Sequence, residues 1–211
     1  MTKQDPYQAP DAPLQSSSTP ESYFANSISA NKLRWNGWVA IVYFVATLLV
    51  TLLSFLPEQA PLAVGAAFQI ALAVIGIYLF LELFRFLQAR FDCEGIGIYV
   101  LSYIGLTVLM TIVSCIGAFQ TTDELTITMT LMLGSLPVFG LFMFLFGLKL
   151  RRIGAPTREL RRFSTVTLVS GGCAVSIVLI PAALILWFAW DVLLAQMFFA
   201  GAEELDAGRR T

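Results

Sequence analysis

The polar positions of this chain fall into a few short clusters. Between them lie apolar runs that show neither the alternation of a strand nor the one-sided stripe of a soluble surface helix. The first run covers about 35–56 (WNGWVAIVYFVATLLVTLLSFL) and the second about 62–83, with apolar character continuing to Leu87. The third and fourth cover about 96–119 and 125–148, and a fifth apolar region extends from 163 to 200. A hydrocarbon layer about 30 Å thick is crossed by roughly 20 helical residues, so each run is long enough to span it. Only a helix satisfies its own backbone groups in lipid. The pattern therefore predicts an all-α integral membrane bundle of five transmembrane helices.

The fifth region is too long for one perpendicular span, since a continuous helix over it would measure roughly 50 Å or more. Its tryptophans, Trp187 and Trp190, read as an interfacial belt. On that reading the span covers about 164–188, and 189–200 continues as a helix lying on the outer interface. Asp191 then sits at the outer boundary. The domain layout that follows is a polar arm over 1–31, a membrane domain over 32–200 and a polar tail over 201–211. The arm, rich in Pro, Ser and Gln with no hydrophobic period, is expected to be flexible.

Charge adds an orientation. Lys3, Lys32 and Arg34 precede the first run, Arg85 and Arg90 lie between the second and third, and six cations lie between the fourth and fifth. The alternate loops, PEQAP at 57–61 and QTTDELT at 120–126, carry no Lys or Arg. Eleven of the 13 basic residues thus share one side, which the positive-inside rule makes cytoplasmic. The expected topology is amino terminus in, carboxyl terminus out. Arg209 and Arg210 are the contrary pair.

Composition agrees with the class. Hydrophobic residues make up 57% of the chain and charged residues 13%, against about a quarter charged in soluble domains. A net charge of −1 gives no basic footprint for nucleic acid. The chain has no histidine, which removes imidazole catalysis and His-containing metal or haem sites. Its three cysteines are scattered without a C-x-x-C pair. No nucleotide-binding or nucleophile-elbow motif is present. The reading is therefore not an enzyme, with no cofactor.

Two sets of residues stand out. LFLELFRFLQARF at 79–91 carries Glu82 and Arg85 three residues apart, where a helix starting near Leu62 reaches the headgroups, so they read as an interfacial charge pair. The loop KLRRIGAPTRELRRF gathers Lys149, Arg151, Arg152, Arg158, Arg161 and Arg162, which enforce topology and are also candidates for binding anionic lipid headgroups. Small residues at Gly172 and Ser176 allow close helix packing, and Gly134, Pro137 and Gly140 allow a kink in the fourth run.

The head DPYQAP, the stretch YLFLELFRFLQARFD and the final LLAQMFFAGAEEL resemble uncharacterised small bacterial inner-membrane proteins that open with an NPY-x-x-P or DPY-x-x-P element. The resemblance implies a bacterial inner membrane and no particular activity. Three functions stay open. The leading one is an accessory or scaffold subunit acting by association with membrane lipids and with a partner membrane protein or a second copy. The others are a transporter or channel component, with Gln69, Ser102, Thr107, Thr111 and Thr130 as polar lining, and an anionic-lipid-binding protein.

Overall fold

A computed structural model describes residues 28–53, 62–91, 93, 95–118, 122–153 and 157–208. Every regular element among them is helical, as expected of backbone that meets hydrocarbon instead of water. The helices are α1 (Ala30–Leu53), α2 (Leu62–Phe91), α3 (Gly97–Ala118), α4 (Thr122–Arg151), α5 (Arg158–Val175) and α6 (Ile180–Gly208), with a 3-10 turn at Ile177–Leu179. Five of them, α1, α2, α3, α4 and α6, are long and apolar enough to cross a membrane. The polar arm up to residue 27, the turn PEQAP, Gln120, Thr121 and the pair Arg209 and Arg210 lie outside the described residues.

The expected number of spans is present, but the last one is not where the sequence placed it. The region 163–200 is not one span followed by an interfacial helix. It divides at Ser176, whose extended backbone (ψ 113) caps α5, and restarts at Ile180. The two pieces pack antiparallel, with the Phe163 ring 5.1 Å from that of Trp190 and the Trp190 indole N–H donating to Thr167. Pro181 is the second residue of α6 and not a mid-helix kink. A missing N–H is harmless there because first-turn donors lack intrahelical acceptors.

α5 fits between α4 and α6 because the face it buries is small. Leu160, Phe163, Ser164, Thr167, Ser170, Gly171 and Ala174 recur every three or four residues and are buried. Gly171 makes the closest approach: a Cβ there would lie 2.3 Å from the Phe144 backbone N. Gly140 and Gly147 of α4 answer with similar contacts to Ala174 and Leu168. Gly172, singled out by the sequence pattern, is exposed and meets only the Phe144 ring edge. α4 continues through Pro137.

The reversal brings α6 back along α1. Phe199 packs on Gly37 and Trp38, Phe188 on Phe44, and the Arg34 guanidinium pairs with Asp206. Arg90 at the end of α2 pairs with Glu204 at 3.0 Å. The described carboxyl-terminal end of the chain therefore lies beside the start of α1. The expectation of termini at opposite ends is corrected: α5, not one of the five helices long and apolar enough to cross, turns the chain back before α6, and the described end of α6 lies where α1 starts. Trp35 and Trp38 are exposed near that end, in keeping with an interfacial belt, whereas Trp190 is buried inside the bundle and not at an outer interface.

Candidate functional site

Three features carry chemistry: a buried carboxylate at the basic end, a free basic surface beside it, and a chamber deeper in the bundle.

Glu82 is 5% exposed. The first turns of α1 and its own helix supply its partners. The Lys32 ammonium lies 2.8 Å from one carboxylate oxygen, the Arg85 guanidinium donates to the other, and the Asn36 amide donates at 3.3 Å. Tyr78 donates in turn to the Asn36 carbonyl oxygen at 2.8 Å. The pair read from the sequence thus forms, but its carboxylate is enclosed by α1 rather than dissolved among headgroups. Asn36, fully buried, was the residue that reading missed. Its signal was there, a lone amide within WNGWVAIV, and an amide inside an apolar helix needs a partner.

Lys149, Arg151, Arg152, Arg158, Arg161 and Arg162 come together where α4 ends and α5 begins. Thr157 starts α5 by accepting from the Leu160 N–H. All but the half-buried Lys149 are exposed. Arg151 donates to the Thr165 hydroxyl at 3.3 Å, and among the described residues none of the six meets a carboxylate. Lys149 reaches across to Gly95 in the α2–α3 turn, whose φ of +75° favours glycine.

The chamber lies between α1, α2, α3, α4 and α6 and has a volume of about 320 Å³. Its aromatic wall is Tyr43, Tyr103, Phe139 and Trp187, and its polar residues include Gln69, Thr107, Thr111 and Ser114. The unequal reach of the helices leaves this space. Phe139 and Trp187 stand at one level, with ring centroids 5.5 Å apart. Trp187 stands seven residues, about 10 Å, from the start of α6, whereas Phe139 stands 17 residues, about 25 Å, from the start of α4. Toward the basic end a cluster of rings closes the space: Phe80 stacks on Tyr103 at 4.0 Å and meets Phe142 and Phe146. Toward the opposite end the Ser114 hydroxyl donates to the Gln69 carbonyl oxygen.

Asp191 lies one turn from Trp187 on α6 and is 8% exposed. This corrects its placement at an outer boundary, because α6 begins 11 residues earlier at Ile180 and carries Asp191 into the bundle. No hydrogen bond or ion pair to its carboxylate occurs among the described residues. The hydroxyls of Tyr43 and Tyr103 converge on Gly76, where a Cβ would lie 3.1 and 3.4 Å from them. The Trp187 indole N–H is buried without a partner among the described residues.

Of the polar lining read from the sequence, Gln69, Thr107 and Thr111 do face this chamber. Ser102 lies instead on a separate groove between α3 and α4, and Thr130 is exposed on α4. Asp191 and Glu82 stay on separate networks. Among the described residues, no three His, Cys, Asp or Glu side chains are grouped to hold a metal ion. No family model matches the chain, and no curated protein or solved structure matches it.

Proposed function

We propose that this protein is a non-enzymatic membrane component, an accessory or scaffold subunit that works by association, with anionic lipid headgroups held at the junction of α4 and α5. One contrast supports this reading. At the same end of the bundle, Lys32, Arg34, Arg85 and Arg90 each pair with a carboxylate, whereas the six cations of the α4–α5 junction pair with none among the described residues. Charge that holds the bundle together is neutralised internally, and the surplus is concentrated on one surface. Each cation near an anionic membrane surface contributes about 1 kcal/mol, so six of them amount to strong retention. The resemblance of DPYQAP and its companion stretches supports a bacterial inner membrane on this reading.

The test is lipid retention. Protein extracted in mild detergent should carry phosphatidylglycerol or cardiolipin through purification. The triple change Arg158→Gln, Arg161→Gln, Arg162→Gln should remove most of it while leaving the bundle monodisperse. Equal retention by the variant ends the reading.

A second function, a transporter or channel component, is favoured by one observation, the chamber with Gln69, Thr107 and Thr111 in its wall. Solute flux in proteoliposomes that is lost when Thr107→Phe fills the space would support it.

A further inference from the structure

A carboxylate buried in a membrane bundle is costly unless something neutralises it, and such groups mark ligand or ion sites. Asp191 is buried, and no described side chain neutralises it. One turn from it along α6, Trp187 forms part of the wall of a space large enough for a small molecule, at the lower end of the range of ligand cavities. The wall of that space gives the chemistry of the occupant. Tyr43, Tyr103, Phe139 and Trp187 present four aromatic rings. Aromatic rings attract cations through their faces, most strongly when water is excluded, and a cage of them is the usual recognition site for an alkylated ammonium.

From these observations together we infer that the chamber binds a small organic cation, an alkylated amine. Its charge rests against Tyr43 and Tyr103, with Asp191, one turn from Trp187, as counter-ion. A bare metal cation would leave most of the volume empty and would not use the rings. The inference rests on the chamber of the second reading above. It concerns binding, so an absence of flux would remove transport and leave it standing.

Choline is the probe, and its neutral carbon isostere 3,3-dimethyl-1-butanol is the control. Radiolabelled choline is titrated onto the full-length protein in detergent by scintillation proximity. The wild type should bind saturably, and the neutral alcohol should compete at least about tenfold more weakly than unlabelled choline. Asp191→Asn, nearly isosteric and relieved of a buried charge, should weaken binding by at least about tenfold. Thr107→Phe, which fills the chamber from α3, provides a second measurement that does not depend on α6. The inference is overturned if the wild type shows no saturable choline binding or if the neutral alcohol competes equally. Unchanged affinity in either variant also overturns it.

Discussion

Glu82 accepts hydrogen bonds from three side chains on two helices, and its donors differ in their surroundings. Lys32 and Arg85 are 44% and 62% exposed, so water can take over their bonds, while Asn36 is sealed inside. Two substitutions should therefore separate in size. Glu82→Gln keeps an acceptor for the Asn36 amide and loses charge-assisted bonds to exposed partners, a cost of about 1 kcal/mol. Glu82→Leu also strands that amide, adding roughly 1–3 kcal/mol. Thermal unfolding in detergent should order the wild type first, then Gln, then Leu, and an equal loss in the two variants would show that the Asn36 bond is not maintained. The spacing of Glu82 and Arg85 made their pairing legible from the sequence. The burial was not legible, because it depends on α1 lying across α2, and the lone amide Asn36 signals the need for a partner without naming which one.

At the scale of elements, the packing of α5 turns on which of two adjacent glycines faces α4. Gly171 faces the Phe144 backbone and Gly172 faces outward. Gly171→Leu should push the two helices apart and leave the protein aggregated or unextractable. Gly172→Leu should yield a monodisperse peak and an unfolding temperature within a few degrees of wild type. The reverse result would rotate α5 by one residue. The sequence showed that small residues cluster here without showing which face they occupy, because Ser164, Thr167 and Ser170 read as ordinary polar positions in an apolar run. They form one stripe only once the helix is known to end at Val175. The stop itself was hidden: Ile177, Val178 and Leu179 are as apolar as what surrounds them, so hydropathy ran on through the reversal. Pro181 was the available sign, and it fits the start of a helix as well as a kink within one.

For the whole molecule, the five long apolar helices were legible because length and hydropathy alone determine them. The side on which the chain ends was not, since one unseen reversal inverts everything after it. The described end of α6 lies at the basic side of the bundle, beside Arg34. Single cysteines placed at Asn31 and at Ala207, in a background with Cys93, Cys115 and Cys173 replaced, should be labelled by an impermeant maleimide from the same face, and one at Glu58 from the other. Labelling of 31 and 207 from different faces would refute the hairpin of α5 and α6. The lipid-retention and choline experiments then address the two ends of the same bundle separately. The clasp between first and last helices also bears on how the protein is made. α1 packs more extensively against α6 than against its sequence neighbour α2, so during synthesis it must wait in the bilayer, its principal partner still missing, until translation is almost finished. A ribosome stalled within the final helix would leave four threaded segments with no closing wall, a natural substrate for membrane quality control.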